Sequence, residues 1–179
     1  MTRNSMTTAA ALAALLAGAS ALATPPLPTD VPEALRAPPG ERLVLVAHAT
    51  GSQIYLCAKG ADGAPQWTLK APDAELRDDQ GQLIGHHSAG PSWKYSDGSE
   101  VTGKAAARVD SPDAASVPWL RVAAVSHAGN GLLAHVSTIQ RLHTRGGQPP
   151  PAPQCDAGKA GAEVRVPYSA DYYFYAPGP

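Results

Sequence analysis

The chain has 179 residues, with 14 Lys and Arg against 15 Asp and Glu and a formal charge of −1, which suits one domain with one core. No run of Lys or Arg stands ready to neutralise successive phosphates or to hold an anionic bilayer, which argues against nucleic acid and membrane surfaces as partners. Gly (17) and Pro (18) are spread along the chain and favour short strands and turns over long helices.

Arg3, the apolar stretch from Met6 to Ala23 and the small residues of Ala21-Leu22-Ala23 have the order of a secretory signal peptide, so residues 1–23 are expected to be cleaved and the mature chain to begin near Thr24. Pro25-Pro26-Leu27-Pro28 cannot continue a helix, and no Cys follows the cleavage site to carry a lipid. The expected product is soluble, periplasmic or extracellular, with no stable membrane span after cleavage. Residues 24–41 read as a Pro-rich arm. Within it Asp30 and Glu33 are spaced as a small capping box for one short helix over Val31 to Arg36.

Residues 42–179 read as a single β domain. Leu43 to Ala47, Gln53 to Cys57, Gln66 to Leu69, Ala74 to Arg77, Gln82 to His86 and Ser92 to Tyr95 are short, rich in β-branched or aromatic residues, and bounded by Gly, Asp or Pro. Asp62-Gly63, Asp79-Gln80-Gly81, Asp97-Gly98 and Asn130-Gly131 supply turn positions, the last two in the style of two-residue hairpins. Asp110 to Pro118 breaks the rhythm as a crossing loop. Trp119 to His127 and Leu132 to about Leu142 are longer strands flanking Asn130-Gly131, and Gly146 to Gly158 is a second loop. Glu163 to Val166 and Asp171 to Tyr175 close the chain. About ten antiparallel strands with almost no helix predict an all-β fold, either a sandwich or a small barrel.

Two cysteines, Cys57 and Cys155, have only one way to pair within an exported chain, so a disulfide is expected. It would close a loop of about 98 residues, for which chain entropy sets an upper figure of ~4.7 kcal/mol. No CxxC and no basic neighbour marks either thiol as reactive.

Several strings match in order a family of exported proteins. They are Gly51 to Cys57 (GSQIYLC), Gly90-Pro91-Ser92-Trp93 with Asp97-Gly98-Ser99, Ile139-Gln140-Arg141 with Thr144 to Gly147, Cys155-Asp156, and Ala170 to Tyr175 (ADYYFY). With these the chain, from about Val31 to Tyr175, resembles domain-of-unknown-function family 3455. The resemblance implies export and carries over no activity.

Candidate chemistry rests on a few side chains. His87 and Asp97, brought together by a hairpin, would form an acid/base pair in which the carboxylate fixes the imidazole tautomer; the simpler reading makes Asp97 a turn residue capping its own backbone. Arg141 and Arg145 beside Gly146 and Gly147 suit an anion pocket, or else ion pairs with Asp110, Asp156 or Asp171. His127 and His135 would share a face only with a one-residue bulge, and no HxH or HExxH appears, so no metal and no cofactor is expected. Along the terminal strand Tyr172 and Phe174 face one way and Tyr173 and Tyr175 the other, so one pair needs a second covering layer or is exposed as a stacking platform.

Two functional readings follow. The first is a non-enzymatic β domain binding a small molecule, glycan or surface component in a cleft edged by Trp93, Tyr173, Arg145 and His87, with Arg141 as a further ligand-binding candidate. The second is an extracytoplasmic hydrolase or lyase with His87 and Asp97 as acid and base and Arg145 stabilising developing negative charge. No GxSxG marks a serine nucleophile.

Overall fold

The structure is a computed structural model and describes residues 26–179; the expected signal segment lies outside the described residues. Eight antiparallel strands follow one another around a closed barrel: β1 (Glu41–Lys59), β2 (Pro65–Arg77), β3 (Leu83–Ser88), β4 (Ser92–Tyr95), β5 (Glu100–Val109), β6 (Trp119–Ala128), β7 (Thr138–Gly146) and β8 (Glu163–Pro177). Strand β8 returns to pair with β1 and completes the ring. The all-β expectation is met, and of its two forms the barrel is the one adopted.

The strand count differs from ten for local reasons. Leu43 to Ala47 and Gln53 to Cys57 are one strand, because Gly51 is not a turn. It lies opposite Ala74, and a Cβ there would overlap the backbone of Asp73 and Ala74. Gln66 to Leu69 joins Ala74 to Arg77 through a bulge, and the two terminal segments merge in β8. Strand β5 was not foreseen, since Ala105-Ala106-Ala107 carries little β propensity. The hairpin expected at Asn130-Gly131 is replaced by a 3-10 helix, Leu132–His135. Leu133 and Val136 of this segment are fully buried and seal one end of the barrel.

Strand periodicity divides the side chains into two layers. Ala47, Ala49, Leu76, Trp93, Val101, Val122, Ile139, Tyr172 and Phe174 fill the interior. On the outer face Leu43, Trp119, Leu142, Tyr173 and Tyr175 form a second cluster around Leu35 of the arm, with Val31 and Ala37 at its edge. The arm is therefore the second layer that the alternating terminal aromatics require. Burial of Leu35 alone contributes about 1.5–3 kcal/mol. Gln140 Nε2 donates to Leu35 O at 2.7 Å, and Tyr175 OH donates to Gln140 Oε1 at 2.9 Å. The arm's helix is a single 3-10 turn, Glu33–Leu35, with Pro32 as N-cap and no side-chain cap. The capping box does not form because the turn starts at Glu33, two residues too late for Asp30 to be its N-cap, and Asp30 bonds His143.

Cys57 and Cys155 are joined, with Cα atoms 5.4 Å apart. The bond ties the long connection between β7 and β8 to the end of β1.

Candidate functional site

Because the strands alternate in direction, the β1–β2, β3–β4, β5–β6 and β7–β8 connections gather at one end of the barrel and the remaining ones at the other. The second end is sealed by the Leu132–His135 helix. The first is a mouth, rimmed by the disulfide-tied loop and by Ser116, which bridges to Gly147. Gly147 has φ of +82°, and a Cβ there would press on Tyr168 and Gln53, so only glycine lets this loop lie against the mouth. Tyr55 OH fastens it further by donating to Gly147 O at 2.6 Å.

Inside the mouth is a cavity of about 340 Å³, lined by Gln53, Leu69, Pro72, His87, Leu120 and Arg141 among others. An eight-stranded barrel has room for its own side chains or for one small ligand, and here side chains fill the middle while this hollow remains at the mouth. A larger hollow of about 420 Å³ lies between the arm and the outer wall, lined largely by Pro28, Pro38, Pro39 and neighbouring residues, away from the barrel interior.

His87 is 2% exposed and lies flat against Trp93, with ring centroids 4.5 Å apart and an interplanar angle of 7°. Burial pushes its imidazole down to about 4, with a smaller contribution from Arg141, so the ring is neutral at physiological pH. Its Nδ1 lies 2.8 Å from Ser92 O; a carbonyl only accepts, so Nδ1 carries the hydrogen and Nε2 keeps the lone pair.

Arg141 is on the interior face of β7, opposite Leu120 and Tyr172. Its Nε and Nη2 donate to Pro118 O at 3.1 and 2.8 Å, which fixes the guanidinium plane beside the Tyr172 hydroxyl. The hydroxyls of Tyr55, Tyr168 and Tyr172 are raised by burial, and the Arg141 charge opposes that rise at each. Gln53 is 1% exposed, and its side-chain Nε2 is buried without a hydrogen-bond partner.

Other expected site residues do not join this cavity. His87 and Asp97 stand at opposite ends of the β3–β4–β5 meander, separated by the length of β4, so the proposed acid/base pair is not formed. Asp97 accepts from Ser99 N and Oγ at 2.8 and 2.6 Å and from Leu132 N at 2.8 Å, which holds the sealing helix in place. The Ser99 hydroxyl, foremost among these donors, keeps its carboxyl below the usual range. Trp93 is buried inside and Tyr173 lies on the outer face under the arm, so they do not edge one cleft. Arg145 is exposed and makes no ion pair with Asp110, Asp156 or Asp171; these bond respectively with Arg108, with the Gly158 and Lys159 backbone, and with two histidines. His127 Nε2 bonds Val136 O at 2.7 Å while His135 is on the helix, so they form no pair. Among the described residues no group of three or more His, Cys, Asp or Glu is placed to hold a metal ion.

One cluster was not foreseen. Asp171 Oδ1 lies 2.7 Å from His48 Nδ1 and Oδ2 2.8 Å from His143 Nδ1; beyond them His48 Nε2 meets Asp79 at 2.8 Å and His143 Nε2 meets Asp30 at 3.2 Å. His143 has φ of +50° where the β7–β8 register shifts, a strained position for a non-glycine. The chain of five groups joins β1, β7, β8, the arm and the β2–β3 turn. Burial opposes charging of both rings, but two carboxylates on each outweigh it and hold both above the ordinary histidine value. A raised folded value stabilises fully below the unfolded histidine range and is lost as pH rises through the folded one. Replacing Asp171 by Asn should therefore lower the urea midpoint most near pH ~6 and progressively less towards pH ~8.5. Equal losses at both pH values would show that the imidazoles are not charged in this chain.

Among the described residues no helix is long and apolar enough to cross a membrane. The family described as "Protein of unknown function (DUF3455)" matches residues 38–176, which spans the whole barrel but for its last residue, Pro177, and leaves out most of the arm, including the Glu33–Leu35 turn. No curated protein and no solved structure matches the chain.

Proposed function

We propose that the chain, which belongs to domain-of-unknown-function family 3455, is an extracytoplasmic binding module that takes a small molecule into the mouth of its barrel. The observation that carries this reading is the buried, unpartnered Nε2 of Gln53 at a cavity also lined by His87 and Arg141. A buried amide donor without a partner costs about 1–3 kcal/mol, and a bound acceptor removes that cost. The disulfide supports the location, since such bonds persist in oxidising compartments. Binding is favoured over hydrolysis because His87 has no carboxylate partner to orient it as a base and its basicity is low.

The test is the mass of whatever the protein carries when isolated from its native compartment. Native mass spectrometry of the wild type should show a bound species that denaturation releases. A Leu120→Trp variant, which fills the mouth with a larger ring, should lack it. Release of nothing from the wild type, or the same species retained by Leu120→Trp, would overturn the reading.

A further inference from the structure

Among the described residues Arg141 brings to the mouth a positive charge that no carboxylate pairs. None of the ion pairs among the described residues includes Arg141. The neighbouring hydroxyls do not supply the missing charge, because burial keeps Tyr55, Tyr168 and Tyr172 protonated. Lys70, on the rim of the same cavity, is already paired with Glu163. A half-buried charge is ordinarily paired, and a guanidinium held only by a backbone carbonyl keeps its charge available to an anion.

Resting on the small-molecule reading above, we propose that the ligand is a small hydroxy-carboxylate, its carboxylate held by Arg141 and Gln53 and a hydroxyl donated to His87. Three features select that class. The Arg141 guanidinium and the Gln53 amide Nε2 are both donors, and a planar carboxylate accepts from two donors at once. A single unpaired guanidinium balances a monoanion, whereas a phosphate monoester, close to two charges at neutral pH, would leave negative charge unanswered. His87 is neutral with its Nδ1 hydrogen committed to Ser92 O, so its Nε2 offers a lone pair that only a donor such as a hydroxyl satisfies. Leu69, Pro72, Pro91 and Leu120 then enclose the carbon body. The about 340 Å³ available is near the lower limit of ligand cavities, which restricts the molecule to roughly the size of one sugar acid.

The measurement is calorimetric titration of the disulfide-bonded mature protein, freed of carried ligand by unfolding and refolding, with three probes: glucuronate, glucose and inorganic phosphate. Glucuronate is expected to bind at least tenfold more tightly than either of the others. Arg141→Gln should weaken it at least tenfold. Because Arg141 also holds Pro118, a second variant guards against misfolding: Gln53→Leu removes one donor without touching the charge and should weaken glucuronate several-fold. Glucose binding as well as glucuronate, or glucuronate undiminished in both variants, overturns the carboxylate assignment and leaves the small-molecule reading standing. Tighter binding of phosphate overturns the choice of anion. If the refolded protein binds none of the three yet retakes the species released from the native protein, the ligand class fails alone; if it retakes nothing, both readings fail.

Discussion

Replacing Trp93 by alanine is expected to destabilise the barrel by about 3–5 kcal/mol, the cost of removing a large aromatic from a core that cannot close over the gap. Trp93 is 1% exposed and stands at the centre of the interior aromatic group, stacked on His87 and edge-on to Tyr172 and Phe174 at 5.6 and 6.2 Å. Its neighbours belong to a ring of hydrogen-bonded strands, and a ring cannot contract by sliding one strand without breaking register with the next. The empty volume therefore remains. Urea unfolding of the variant should show the lower midpoint with an unchanged slope. A loss under about 1 kcal/mol would mean that the interior relaxes as an open sheet would. The same substitution strips His87 of its stacking partner, so it should also weaken whatever the mouth binds.

Removing the disulfide by replacing Cys57 and Cys155 together with serine is expected to cost about 2–5 kcal/mol. The bridge spans a sequence separation of 98, and a loop of that size has an upper entropic figure of ~4.7 kcal/mol. Both sulfurs are buried, and the bond fastens the loop that carries Gly147 over Tyr55. Unfolding of the oxidised and reduced wild type, compared with the double variant, checks the figure. An unreduced intact mass with two free thiols, or identical midpoints with and without reductant, would contradict it.

Most of the fold was legible because its signals are local. Alternation of apolar and polar residues identified nearly every strand, and the two cysteines specified their own partner. Where the reading failed, distance along the chain was responsible. Gly51 looked like punctuation, and only the approach of Ala74 shows that it is a close contact within one strand. Asn130-Gly131 has the composition of a hairpin turn, but Asp97 and Ser99 capture the following backbone N–H groups and wind it into a helix.

The candidate site was half legible for the same reason. His87 and Arg141 were visible as residue types and converge on one cavity, whereas Asp97, Tyr173 and Arg145 were assigned to it without knowledge of which face or end they occupy. Gln53 left a usable signal: it is a polar residue at an interior-facing position of a strand otherwise filled with Ala, Tyr and Cys. The His48–Asp171–His143 chain left none, since it depends on the pairing of the first strand with the last, 123 residues apart.

That pairing also governs the order of events as the polypeptide is made. From Glu41 to Ala47, β1 has no ladder partner among the described residues except β8, which is the last of the eight strands to be synthesised. Every shorter length of chain is an open sheet with two unsatisfied edges, and an exposed edge accepts a strand from any neighbouring molecule. Contacts of such long range also form slowly. A chain ending before Glu163 lacks the strand that pairs with both β1 and β7 and has no smaller barrel to fall back on. Closure by the final strand is thus both the completing step of assembly and the point at which the risk of intermolecular pairing ends.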